Sequence, residues 1–157
     1  MSDLEWYARL SSSGDVEAGR RVFFHPGGPG CFRCHRVDGF GENVGPDLST
    51  IGDALSGGRL IESILQPSKE VAPRFTTWRI VTDDGKVRVG AITDEGAHSV
   101  ITLADSDGKL HRIARHTIEE RSAVPTSIMP DKLADRMTPR EFTDLIAYLQ
   151  SRRTQPK

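Results

Sequence analysis

The sequence predicts a mainly α fold interrupted by an antiparallel β meander, α+β overall. Three observations carry this. Apolar residues recur at helical spacing towards both ends, at Leu60, Ile61, Ile64 and Leu65 and again at Phe142, Leu145, Ile146 and Leu149. From Phe75 to about Glu120 the period drops to two, with turn residues between the runs. The length, 157 residues, fits one ordinary domain or a small domain carrying an insertion.

Taken in order, Leu4, Tyr7 and Leu10 have helical spacing, and Ser11-Ser12-Ser13-Gly14 ends that element. Asp15 is an N-cap for a helix running to about Phe24, with Glu17 in the first turn, where the helix dipole favours an acid. The stretch His25-Pro26-Gly27-Gly28-Pro29-Gly30 stops that helix. Val37 to Asp53, rich in glycine with Asn43 and Pro46, reads as irregular loop. Pro67 terminates the helix that holds Leu60 to Leu65.

The two-residue period then runs through Trp78 and Ile80, Val87 and Val89, Val100 to Leu103, and Leu110 and Ile113. Asp83-Asp84-Gly85, Asp94-Glu95-Gly96 and Asp105-Ser106-Asp107-Gly108 separate the runs as turns, giving four or five antiparallel strands. Thr138-Pro139-Arg140-Glu141 closes the list of signals: a cap, a proline at the first helical position and the acid of a capping box.

Composition excludes several classes. Hydrophobic residues at 36% and charged residues at 27% suit a folded soluble chain rather than a disordered one. No apolar run is long enough to span a bilayer. The formal charge of −1 argues against a nucleic-acid binder, which needs a basic face to neutralise phosphates. Met1 to Glu5 lacks the basic and apolar regions of a signal peptide, so the chain reads either as cytosolic or as a mature or excised segment of something longer.

The two cysteines lie three positions apart, in Cys31-Phe32-Arg33-Cys34-His35. That is the spacing of covalent c-type haem attachment: two thiols for two vinyl groups on one porphyrin edge, and an adjacent imidazole for the iron. Three other readings of the pair compete. A thioredoxin-like redox pair wants a βαβ context, whereas a helix and a glycine loop precede this motif. A zinc half-site wants a second pair at ligand spacing, for which His111 and His116 are poor candidates. A buried structural pair is the third.

Around the motif the chain resembles class I cytochromes c. Gly19-Arg20-Arg21-Val22-Phe23 is similar to their N-terminal helix and Asp144-Leu145-Ile146-Ala147-Tyr148-Leu149 to their C-terminal one. The resemblance implies that the two helices cross with Gly19 against Tyr148. It also implies that Pro46, in Gly45-Pro46-Asp47-Leu48, packs beside His35 and accepts its Nδ1 proton, with Leu48 lining the haem. Met129, followed by Pro130, stands where the family places an axial methionine. Bis-histidine ligation from His25, His98, His111 or His116 is the alternative.

From about Asp15 to Ser151 the order of motifs is similar to a haem-binding domain typical of planctomycete and verrucomicrobial proteins. The implied organisation is a cytochrome c haem core from residues 1–73 and 124–157, with a small β subdomain, 74–123, set into it. Arg74 to Ala123 holds eight basic and eight acidic residues, so that subdomain is neutral. The spacer His25 to Gly30 is longer than in small cytochromes c.

The expected function is that of an electron carrier rather than an enzyme. One haem c would be bound covalently through Cys31 and Cys34, with His35 and Met129 as axial ligands. The expected partners are a fused or separate dehydrogenase as donor and a cytochrome or oxidase as acceptor, within a larger multidomain protein. Thioether attachment implies a periplasmic or otherwise extracytoplasmic location. The alternative is a haem-based gas or peroxide sensor or enzyme with a labile sixth ligand; a peroxidase would want a distal acid-base group, which no residue of the sequence supplies by position.

Overall fold

A computed structural model describes residues 2–10, 13–96 and 99–157. The chain divides into two compact units, residues 1–66 with 131–157, and residues 67–130.

Among the described residues the first unit holds the α-helices α1 (Asp3–Arg9), α2 (Val16–Phe24), α3 (Ile51–Ala54), α4 (Gly57–Leu65) and α5 (Pro139–Ser151). Its central contact is the crossing of α2 with α5. Gly19 permits it: a Cβ there would lie 1.9 Å from the Asp144 carbonyl oxygen and 2.8 Å from the Tyr148 Cβ. Phe23, Phe142, Leu145, Ile146 and Tyr148 are fully buried around this crossing. The buried Asp144 carboxylate accepts the Asp15 backbone N–H at 2.7 Å, which ties the start of α2 to the middle of α5. Thr138 and Glu141 form the expected capping box, and Asp15 caps α2 through the Ala18 N–H at 2.8 Å.

α1 forms, but its face differs from the one its spacing predicts. Leu4 and Tyr7 are exposed, and Trp6 is the buried residue, its ring 4.2 Å from that of Phe142. Ser11 and Ser12, expected to end this helix, lie outside the described residues. In the segment read as irregular, α3 forms just after Thr50, its Gly52 N–H donating to the Arg152 carbonyl at 2.8 Å.

The second unit contains an antiparallel sheet of β1 (Thr77–Thr82), β2 (Val87–Asp94), β3 (Val100–Ala104), β4 (Leu110–Ala114) and β5 (Ile118–Val124). The strand order is β4-β3-β2-β1-β5. The first four follow one another as a meander. β5 does not continue it: a 3-10 turn, Arg115–Thr117, carries the chain back to pair β5 with β1. Ile80, Leu103 and Ile113 form the core of this unit, with Trp78, Ile92 and Ile118 packed against them. Val87 and Val89, which alternate with core-facing positions, lie on the solvent side. Gly90 is required where β2 closes on β3, since a Cβ would come 2.1 Å from the Ala104 carbonyl oxygen.

The mainly α cytochrome c fold expected from the sequence is therefore corrected. The chain is α+β, with a five-stranded antiparallel sheet and only 36% of the described residues helical when α-helices and 3-10 turns are taken together. The physical reason lies in the strand pairing and the connections. Residues 77–124 pair as five strands around Ile80, Leu103 and Ile113, while the stretch 25–30 stops α2 after nine residues and left-handed Asp38, Gly39 and Gly41 keep the next loop out of helix.

Candidate functional site

The site is built on one loop system of the first unit. Gly30, at φ 75°, turns the chain out of the glycine-proline stretch into a 3-10 turn, Cys31–Arg33. The Cys34 N–H donates to the Cys31 carbonyl at 3.2 Å, and the His35 N–H donates to the same oxygen at 2.9 Å. Cys31 opens this turn and Cys34 closes it as its C-cap. They form no disulfide, and both are half-buried.

The following segment folds back over this turn. The Glu42 N–H donates to the Phe32 carbonyl at 2.9 Å, the Val44 and Gly45 N–H groups to the Cys34 carbonyl at 3.0 and 2.7 Å, and the Leu48 N–H to the Arg36 carbonyl at 2.8 Å. Two glycines allow the approach. A Cβ on Gly41, which sits at φ 99°, would come 2.3 Å from the His35 carbonyl oxygen. A Cβ on Gly45 would come 2.8 Å from the His35 ring at Cε1. Asp38 (φ 50°) and Gly39 (φ 84°) make the reversal between Val37 and Phe40, which exchange two hydrogen bonds of 2.9 Å.

His35 is oriented by this loop. Its Nδ1 lies 2.8 Å from the Pro46 carbonyl oxygen, which can only accept, so Nδ1 carries the proton and donates it. Nε2 is then the ring atom with a lone pair, and no hydrogen bond among the described residues engages it. Burial lowers the affinity of the imidazole for a second proton, partly offset by the bond to Pro46. Burial also pushes the Cys31 thiol up to about 12. The resting groups are thus a neutral imidazole and a protonated thiol.

Cys31, Cys34, His35, Pro46 and Leu48 are brought together. Met129 belongs to the second unit, where it is half-buried and its N–H donates to the Ser127 hydroxyl at 3.1 Å. Two residues of the loop escaped the sequence reading, Gly41 as a contact and Asp38 as a left-handed residue. The signal available was the density of glycines between the motif and Pro46.

The donor set can be tested against the competing chemistries. A reactive redox pair needs a thiol acidified below its ordinary value, and Cys31 is shifted the other way. Zinc needs three or four protein ligands, and no group of three or more His, Cys, Asp or Glu is gathered among the described residues. His111 has both ring nitrogens engaged, by Asp105 and Arg88. His25 is exposed, its Nδ1 accepting the Gly27 N–H at 3.0 Å, and His116 is exposed in the turn before β5. His98 lies outside the described residues. A haem fits what is present: two free thiols at the two ends of one short turn, then an imidazole oriented at Nδ1 with its other nitrogen available.

No known protein family model matches this chain, and no curated protein matches it significantly. Among the described residues no helix is long and apolar enough to cross a membrane.

Proposed function

We propose that this chain carries one haem c and transfers single electrons. The observation that supports it best is the His35 arrangement: directly after the two cysteines, with Nδ1 held by the Pro46 carbonyl and Gly45 against the ring. The hydrogen bond fixes the tautomer and makes Nε2 a stronger donor to a metal. Cys31 and Cys34 would each add S–H across one vinyl double bond, sulfur to one carbon and hydrogen to the other, so attachment needs no oxidant. Haem bound there supplies a reversible one-electron couple. The backbone bonds that lace residues 42–48 onto 32–36 hold His35 in one orientation, which limits rearrangement as charge is gained or lost.

The sixth ligand in this proposal is the Met129 thioether, which enters on sequence order alone, as a methionine followed by proline ahead of the terminal helix. A neutral soft ligand favours the ferrous state and raises the potential. The setting is extracytoplasmic, where such attachment takes place, with a dehydrogenase as donor and a cytochrome or oxidase as acceptor. Optical spectra of the haem-loaded protein with and without carbon monoxide test the reading. A methionine-to-iron charge-transfer band in the ferric form and no carbon monoxide complex in the ferrous form are expected. Rapid carbon monoxide binding without that band would replace electron transfer by gas sensing.

A further inference from the structure

The second unit contains a half-buried charged cluster that the haem reading does not use. His111 of β4 places Nε2 2.8 Å from the Asp105 carboxylate and Nδ1 3.1 Å from the Arg88 guanidinium of β2. The side chains of His111 and Asp105 are 20% and 30% exposed. A guanidinium has no acceptor and does not lose its proton, so Nδ1 must accept from Arg88. Nε2 therefore carries the proton and donates it to Asp105. The geometry defines one tautomer of a neutral ring.

A second proton on His111 cannot be accommodated without a change. Nδ1 would become a donor facing another donor at 3.1 Å, and two cations would face each other. The bond to Asp105 would gain charge assistance instead. Asp105 is anchored independently, its other carboxylate oxygen accepting the Asp107 and Lys109 N–H groups at 3.0 Å each. The partner that gives way is Arg88. Other groups on this face of the sheet do not compete. Cross-strand neighbours of Arg88 and His111 are the apolar Ile80 and Leu103, and Arg121 of β5 lies over the Trp78 ring and pairs with Glu95. The Asp107 and Lys109 side chains of the β3–β4 turn are exposed to solvent.

We propose that Arg88, His111 and Asp105 form a proton-operated clamp: neutral His111 ties β2 to β4 through Arg88, and protonation releases the Arg88 guanidinium to the surface while the Asp105 turn stays closed.

Side-chain NMR of the full chain between about pH 8 and about pH 5, the range in which histidines change charge, tests the clamp. At the alkaline end the His111 ring nitrogens are expected to report the Nε2–H tautomer, and the Arg88 guanidinium protons to be protected from exchange. As the ring titrates, Arg88 protection is expected to fall at least about tenfold, the equivalent of about 1.4 kcal/mol, while the Asp107 and Lys109 amides keep theirs. His111→Gln offers Arg88 a carbonyl oxygen and Asp105 an N–H at every pH, so Arg88 protection in that variant is expected to be independent of pH. Arg88 protection that persists in the wild-type chain after the ring has titrated, or an Nδ1–H tautomer at alkaline pH, would overturn the proposal. The wild-type titration decides the matter even if the variant does not fold.

Discussion

Replacing Gly19 by alanine probes the helix crossing that supports the site. The added Cβ would sit 1.9 Å from the Asp144 carbonyl oxygen and 2.5 Å from its carbon. Both are backbone atoms of α5, so no side chain can rotate away, and α2 must move off α5 by more than an ångström. Phe23 and Tyr148, at 0% and 2% exposure, then lose contact together. Overpacking of this kind costs about 1–3 kcal/mol, and a backbone clash belongs at the upper end. Alanine returns up to about 1 kcal/mol of helix propensity. The net loss is about 2 kcal/mol, which for a chain of this size lowers Tm by roughly 4–8 °C. The α-helices of the described residues lie in the first unit, so the helical signal in far-UV circular dichroism follows the melting of the unit concerned. A variant that melts at or above the wild-type temperature would refute the packing argument, because propensity alone would then have decided the outcome.

Three further outcomes are expected. Gly45→Ala puts a Cβ 2.8 Å from the His35 ring and should tilt it away from the Pro46 carbonyl; reduced haem retention in the purified protein, or a shifted reduction potential, checks this. In the haem-free chain, burial depresses the proton affinity of folded His35 below that of the unfolded chain. The unfolded state therefore binds the extra proton first, and stability falls as pH drops below about 6.5 towards the folded value; urea midpoints at a series of pH values should show that slope, and His35→Gln should flatten it. Met129→Ala should lower the potential of the haem-loaded protein sharply, and an unchanged potential would remove Met129 from the sixth position.

Local grammar made parts of the fold legible. The Thr138 capping box and the Asp15 cap follow from residue type and spacing over a few positions, and each forms; the meeting of Gly19 with Tyr148, which only the resemblance to cytochromes c implied, also forms. What failed depended on distant partners. The spacing of Leu4, Tyr7 and Leu10 predicted a face for α1, but Phe142 from the far end of the chain selects Trp6 instead. The run after Ile118 alternates like any edge of a meander, and only its pairing with Trp78 to Val81 shows that it closes back beside β1. The weight of the sheet against the short helices was misjudged for the same reason: apolar spacing marks an element without giving its share of the whole. At the site, the cysteine-histidine spacing was readable and the Pro46 contact came from the resemblance, whereas the left-handed Asp38 and the close approach of Gly41 to the His35 carbonyl arise from how the loop folds back.

In the proposed function haem is held covalently at Cys31 and Cys34. The most direct measurement of this is the haem content of the denatured protein after production in a periplasm equipped for cytochrome c maturation. One haem per chain that stays with the unfolded polypeptide, with the reduced spectrum of a porphyrin saturated at both vinyl positions, is predicted, and Cys31→Ser with Cys34→Ser should abolish retention. A chain that matures without haem, or releases it on denaturation with both cysteines intact, would contradict the account.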